Sequence, residues 1–449
     1  MKRKTIILTS FFSLFLVFFI RTPVTGDATE VIIAHFNDLG GQIWPDRKGC
    51  GGLVKLAGAW RRFHSEHPNS ILLVSGDLIT GSSLSTLTRG EGVFRLANRM
   101  GFAAFTPGNH EFDYGVEQYL KFMSIARFPF VAANIKPAKN IKESKLSDAP
   151  YIILTESGIK VGIIGVISEA TPRMTYRKNT AGVEFTDPTG ELRNLVPKVK
   201  REAELVVAMT HIGMEEDYKL ATNVKGIDII IGGHSYSPTL HPNRVSNTWI
   251  VNAGADGEFL GVIYIRLNPV TKKLIKVRSE LLPIDKNAQP DPEMAAAAQA
   301  EEAKLPVRLD AVIARAATYL DKDADIAPWL AALMKKYTGA DVGLINEGGV
   351  RSGIEPGAIT LRDVYRIMPF DDKIVIIRLP GVELAQWMKK ENLIADRNFR
   401  PVSGRFYNIA TSDFVAEYCP SRPPAMRYMP LNIRDLMIND LSSQGRIRK

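Results

Sequence analysis

Several short apolar runs in this chain end on a side chain able to bind a metal, and this repetition limits the folds open to it. Ile71 to Val74 leads through Ser75 and Gly76 to Asp77; Leu205 to Met209 leads to His211; Ile227 to Ile231 leads to His234. A fourth station is the nonapeptide Pro107-Gly108-Asn109-His110-Glu111-Phe112-Asp113-Tyr114-Gly115, in which an amide, an imidazole and a carboxylate fall within five positions between flexible glycines. Apolar runs of this length, bounded by glycine and proline, read as buried strands. Open α/β sheets collect their active groups beyond the carboxyl ends of such strands. The chain therefore needs a fold that brings these four ends to one place.

The surrounding pattern agrees. Val31–Ala34, Ile71–Val74, Phe130–Ala133, Val161–Val166, Leu205–Met209, Ile227–Ile231, Trp249–Asn252 and Gly261–Ile265 read as strands, with helical stretches such as 52–64 and 92–100 between them. This predicts a catalytic α/β domain over 27–286. Residues 287–305 change character, with two prolines and then an alanine- and glutamate-rich stretch, and read as a linker entering a helix. A second domain, 306–449, holds apolar runs at 341–345 and 373–379 and a helix at 381–390. No internal repeat or low-complexity tract interrupts the chain.

Residues 1–26 stand apart. Lys2-Arg3-Lys4 precedes the apolar run Ile6 to Ile20, followed by the small residues Val24-Thr25-Gly26. This is the pattern of a secretory signal cleaved before Asp27, and the run is short for a span of roughly 20 apolar residues. The expectation is an exported protein, in the periplasm or otherwise at the cell surface or in the medium, with no stable membrane span after cleavage. The formal charge of +9 is spread without a basic stripe, which argues against a nucleic-acid partner. Cys50 and Cys419 are the only cysteines, and their spacing does not decide whether they pair.

The ordered set of motifs resembles the calcineurin-like metallophosphoesterases, and within them the bacterial 5′-nucleotidase family. In the second domain Asn346-Glu347-Gly348-Gly349-Val350-Arg351 is similar to that family's Asn-x-Gly-Gly-x-Arg loop. Leu361 to Phe370 is similar to its helix ending in Pro-Phe, and Val402-Ser403-Gly404 to its Val-Ser-Gly turn. The resemblance covers nearly all of the chain after residue 26. It implies a four-layer αββα sandwich followed by a smaller α+β domain, with a small phosphorylated substrate, such as a nucleotide, bound between them.

It also implies roles. One metal would be held by Asp77, Asn109, His211 and His234, a mixed set that suits Mn, Zn, Fe or Co better than the oxygen-only shell of Ca. A second metal would share Asp77 and add Asp38, a histidine two residues after it, and a His or Gln two residues after His234. Those last two positions are Gly40 and Tyr236 here. In extended backbone, residues i and i+2 face the same way, so both losses strike one site. Gly40 offers no side chain, and a phenol with a reference pKa of about 10 is a poor ligand. At least one metal per chain is expected, and the Tyr236 ring is expected to fill the space left at Gly40. His35 and His241 are conceivable replacement ligands, although His35 has the wrong strand parity and His241 follows a proline-containing loop.

By the same resemblance His110 and Asp113 form the catalytic pair. Arg351 would contact substrate phosphate, supported by Asn346, Gly348 and Gly349, and Phe399 would supply one aromatic of a nucleobase clamp. The glycine hairpin that carries the clamp's partner is missing: residues 415–424 hold Tyr418 and a proline-rich loop instead. The sequence therefore points to phosphoester hydrolysis more firmly than to nucleotides. A protein that holds metal or a phosphorylated ligand without efficient turnover, and a hydrolase with a non-nucleotide substrate, both remain open.

Overall fold

The structure is a computed structural model, and it describes residues 28–138, 145–396, 399–420 and 426–448. Residues 1–26, read above as a secretory signal, lie outside the described residues. Two sheets form the first domain. One has five strands in the order Leu274–Pro283, Phe259–Leu267, Thr29–Phe36, Ser70–Ser75, Ala104–Thr106. The other has six, in the order Asn243–Val245, Thr248–Val251, Ile229–Gly232, Leu205–His211, Ile159–Ile167, Tyr151–Glu156. In the five-stranded sheet the first three strands of that order pair antiparallel and the last three parallel; in the six-stranded sheet the central pairings are parallel and the two outer ones antiparallel. Strand Leu205–His211 is buried at every position, as its unbroken apolar run implies.

The alternation of side chains sorts each strand between two cores. Val31, Ile33, Val207, Met209, Ile229 and Ile231 meet between the sheets. On the outer face of the first sheet, Ala34, Phe36, Leu72 and Val74 pack on residues of helices Leu53–Glu66, Glu91–Ala97, Val116–Ile125 and Pro292–Glu302. On the outer face of the second, Val206, Ala208 and Ile230 pack on helices Pro188–Val199 and Met214–Asn223. The layers are α, β, β, α. The run Phe130–Ala133 forms isolated bridges in place of a strand. It passes from one sheet to the other, pairing with Phe105 at one end while Ala133 N–H donates to the Gly165 carbonyl at the other.

Within the stretch 287–305, helix Pro292–Glu302 buries Met294 and Ala298 in the first domain's core. Beyond it lies a smaller α+β region. A three-stranded sheet joins Gly357–Thr360, Val312–Ala316 and Arg446–Ile447. A five-stranded sheet orders Leu393–Ala395, Val342–Asn346, Phe406–Ser412, Lys373–Pro380 and Arg427–Asn432. Helix Leu361–Ile367 starts on a capping box made by Thr360 and Asp363, which fixes the strand-to-helix turn.

Polar contacts join the two parts. Arg362 Nη2 donates to Glu302 Oε2 at 3.0 Å, and Thr86 Oγ1 to the Pro369 carbonyl at 3.0 Å. Opposite, the Tyr418 hydroxyl donates toward the carbonyls of Pro172 and Thr175, at 3.1 and 2.9 Å. The Tyr176 hydroxyl lies 2.9 Å from Asp372 Oδ1 and 2.7 Å from Asp413 Oδ1. Between these seams is a cleft of about 1460 Å³. Cys50 and Cys419 are not joined in a disulfide.

Candidate metal centre

The strand ends converge as the sequence pattern implies. Strand Ser70–Ser75 is followed by Gly76 at φ +79, where a Cβ would lie 2.4 Å from His211 Nδ1. Gly108 is equally constrained, since a Cβ there would fall 2.1 Å from Asp77 Oδ1. Only glycine lets these two turns approach the side chains they present. Asp38, Asp77 and His234 also take positive φ, at +51, +53 and +76, turning their side chains inward.

Asp77, His211 and His234 bring one ligand atom each within 4.8 Å of one another. Their hydrogen bonds leave the facing atoms unused. Asp77 Oδ1 accepts from His110 N–H at 2.9 Å, whereas buried Oδ2 has no hydrogen-bond partner. His211 Nδ1 lies 2.8 Å from the Ser75 carbonyl, so it carries the proton and leaves Nε2 as an acceptor. That Nε2 sits 3.0 Å from Asp77 Oδ2 and 3.9 Å from Asp38 Oδ1. Asn109 Oδ1 is a fourth buried acceptor without a partner.

Buried acceptors facing each other across 3.0 Å require a cation between them. A proton could answer: although burial lowers the His211 pKa, Asp77 and Asp38 outweigh it and raise it to about 10. A divalent metal answers better, because it serves all the acceptors at once. His234 is held neutral, its pKa lowered to about 4 chiefly by burial, with its lone pair free to ligate. The donor set therefore fits one divalent ion.

The other half of the centre differs. Asp38 is buried, its Oδ2 accepting from Asn37 Nδ2 at 2.7 Å and from His234 N–H at 2.8 Å, its Oδ1 unpartnered. Tyr236 does not fill the space at Gly40. The ring is 44% exposed, and its hydroxyl accepts from Arg351 Nη2 at 2.8 Å. The direction a side chain would take from Gly40 leads instead to Asp256, whose Oδ1 is 3.4 Å from the Cβ position. A cavity of about 220 Å³ remains, lined by Asp38, Gly40 and Tyr236 among others. Neither alternative histidine helps. His35 is a core residue whose pKa burial lowers to about 3, packed where a Cβ on Gly261 would lie 2.3 Å from its Nε2, and His241 is exposed.

His110 projects from the short turn His110–Phe112 into the cleft, its Nδ1 2.7 Å from Asp113 Oδ2. The Thr80 hydroxyl donates to the same oxygen at 2.7 Å. Burial works against protonating His110, but Asp113 and Asp77 prevail and its pKa is raised. Asn346, Gly348, Gly349 and Arg351 all line the cleft. Phe399 is not among the cleft-lining residues; its ring packs edge-on against Tyr407, 5.3 Å away. The aromatic rings that line the cleft are those of Tyr114, Tyr176, Tyr236, Phe370, Trp387, Phe414 and Tyr418.

Sequence reasoning missed Glu111 and Thr80. Fully buried, Glu111 accepts from the backbone N–H groups of Asp77, Leu78 and Gly108, at 3.0, 2.9 and 2.6 Å. It pins two strand-end turns together, and its only sequence signal was its place inside the nonapeptide. Thr80 had no signal at all.

Two families account for most of the chain. Residues 32–238 match the calcineurin-like phosphoesterase family, and residues 303–440 the 5′-nucleotidase C-terminal domain. The protein UshA of Yersinia enterocolitica is 27% identical, over 86% of this chain and 80% of that protein. A 5′-nucleotidase of Vibrio parahaemolyticus is 26% identical, over 82% and 75%. Among solved structures, a 5′-nucleotidase precursor from Thermus thermophilus superposes with a TM-score of 0.84 at 22% identity, covering 93% of this chain and 97% of that one. The sulfate thiohydrolase SoxB of Thermus thermophilus gives 0.82 at 20% identity, covering 93% and 95%. The chain belongs to the calcineurin-like phosphoesterases that carry a 5′-nucleotidase C-terminal domain. Within that architecture its metal site is a partial one.

Proposed function

We propose that the protein is an exported, metal-dependent phosphoesterase of the 5′-nucleotidase type, acting in the periplasm on a small phosphate ester. The observation that carries the reading is the set of unpartnered acceptors Asp77 Oδ2, Asn109 Oδ1 and His211 Nε2 beside the His110–Asp113 pair at the floor of the cleft. Asp77, Asn109, His211 and His234 would hold the ion. Bound there, a divalent cation polarises a phosphoryl oxygen and acidifies water. His110 stands ready to donate a proton to the departing oxygen, with Asp113 and Thr80 fixing its ring and tautomer. Arg351 offers phosphate a planar fork of donors.

A nucleotide is the substrate that the named relatives suggest, and a cleft of about 1460 Å³ has room for one. A base would then lie against the cleft's own rings, such as Phe414, Tyr418 and Phe370, rather than against Phe399. Gly40 and Tyr236 favour the second reading, a protein that binds a phosphorylated ligand with slow turnover. The test is phosphate release from a panel of nucleotides and simple phosphoesters with Mn²⁺, using His110→Ala as control. Release that disappears in the control supports hydrolysis. Folded, metal-loaded protein that releases no more than the control supports binding alone.

A further inference from the structure

The antiparallel strands Phe259–Leu267 and Leu274–Pro283 form a hairpin at the edge of the five-stranded sheet. Between Ile265 and Ser279 it carries five cations, Arg266, Lys272, Lys273, Lys276 and Arg278, and no carboxylate. Positive charge that is spread along the sequence is thus concentrated here by the fold. Arg266 stands opposite Lys276, and Tyr264 opposite Arg278, on one face of the strand pair. Two acids flank the group: Glu280 pairs with Arg278 at 3.1 Å, and Glu30 lies across from Arg266 in the neighbouring strand. Among the described residues Lys272, Lys273 and Lys276 make no ion pair.

The tip is a built turn. Asn268 N–H donates to the Lys273 carbonyl and Lys272 N–H to the Asn268 carbonyl, both at 2.8 Å. The Asn268 side chain accepts from the N–H groups of Val270 and Thr271, at 3.0 and 2.8 Å. This turn holds Val270 outward, 81% exposed, and Ile275, near the start of the returning strand, is 58% exposed. Lysines on an edge strand keep it from pairing with another chain, but exposed valine and isoleucine work against that purpose. Cations around exposed aliphatic side chains match the surface of an anionic bilayer, where charges meet headgroup phosphates and aliphatic groups enter the acyl boundary.

The hairpin also lies where the chain enters the domain. Thr29, the first residue of strand Thr29–Phe36, pairs with Leu267, and the apolar run Ile6 to Ile20 precedes it in the sequence. Residues 21–28 reach at most about 28 Å, so a membrane that takes up that run lies within reach of the tip. The strand then leads away, about 25 Å along its length, to Asn37 and Asp38 at the metal centre. We propose that the tip of this hairpin is a docking surface for an anionic lipid bilayer, with Lys272, Lys273 and Lys276 on the headgroup phosphates and Val270 and Ile275 inserted shallowly. The domain docks peripherally, with its cleft at the far end of the sheet. This goes beyond the phosphoesterase reading and stands whether or not that reading does.

The test is co-sedimentation of the metal-loaded protein without residues 1–26, as export would leave it, so that the apolar run does not contribute. The probes are vesicles of equimolar phosphatidylglycerol and phosphatidylcholine, and vesicles of phosphatidylcholine alone, at low and at high salt. The expected result is sedimentation with the anionic vesicles only, lost at high salt. Lys272→Gln, Lys273→Gln and Lys276→Gln together should weaken it about a hundredfold, and Val270→Ser with Ile275→Ser about tenfold. Thermal midpoints and phosphate release should not change. Should the lysine variant fail to fold, the second variant carries the same comparison. Equal sedimentation with both kinds of vesicle, none with anionic vesicles at low salt, or variants that bind as the wild type does would overturn the docking surface. Binding to a DNA duplex as tight as to the anionic vesicles would also overturn it, because the tip would then be a general polyanion site.

Discussion

The two halves of the centre are built in different ways. The formed half, Asp77, Asn109, His211 and His234, comes wholly from the first domain, and buried groups fix it: Glu111 beneath two turns and the Ser75 carbonyl behind His211. The altered half is completed across domains. Tyr236 and Asp256 come from the first, while Lys322, Arg351 and Arg366 come from the second. A site inside one rigid scaffold keeps its geometry when domains shift; a site shared between domains depends on their seam. The formed half should therefore bind metal whatever the second domain does, and the altered half should respond to domain contacts.

The largest effect is expected from breaking the formed half. His211→Ala should abolish tight Mn²⁺ binding and lower phosphate release by about three orders of magnitude, read by metal analysis and by activity. Metal-free wild type should match it, with activity returning on addition of Mn²⁺. His110→Ala should cost about 10²- to 10⁴-fold in rate with metal content unchanged. A parallel loss of metal would place His110 among the ligands and break the assignment.

The altered half can be pushed the other way. Gly40→His combined with Tyr236→His restores both missing ligand types and should raise manganese from one towards two per chain. Its cost is about 1–2 kcal/mol of stability, since position 40 sits at φ +58. No gain in metal from a folded double variant would show that the two ligand losses alone do not account for the missing second ion.

The seam supplies a smaller, pH-dependent effect. The Tyr176 hydroxyl has one proton for two carboxylates, Asp372 and Asp413. Burial above all, with Asp413 nearby, raises the Asp372 pKa from 3.8 to about 7. Folded protein thus keeps a proton that the unfolded chain releases near its ordinary value, so this contribution to stability falls as pH rises from about 4 through 7. Asp372→Asn should flatten the thermal midpoint across that window, and phosphate affinity should follow the seam while metal affinity does not. The smallest effect is expected from Phe399→Ala. With its ring against Tyr407 and off the cleft wall, KM should stay within about twofold.

Much of the formed half was legible because it is local. An apolar run fixes a buried strand, and a strand fixes where its next side chains point, so Asp77, His211 and His234 could be read from runs and spacing. Phe130–Ala133 was misread because an apolar run also suits a segment buried between two sheets. Phe399 was placed in the cleft by resemblance, and no local pattern distinguishes an aromatic that lines a cleft from one that packs behind it.

The sequence by itself determined the alternating α/β domain and the converging strand ends, which follow from short-range rules of periodicity and turn chemistry; the His110–Asp113 pair and the two missing ligand side chains were legible only through the family resemblance. Only the tertiary structure decided what occupies the vacated half. Asp256 approaches Gly40 from more than 200 residues away, and Tyr236 meets Arg351 from another domain. Such meetings are fixed by the packing of whole sheets and domains, which no local stretch of sequence encodes.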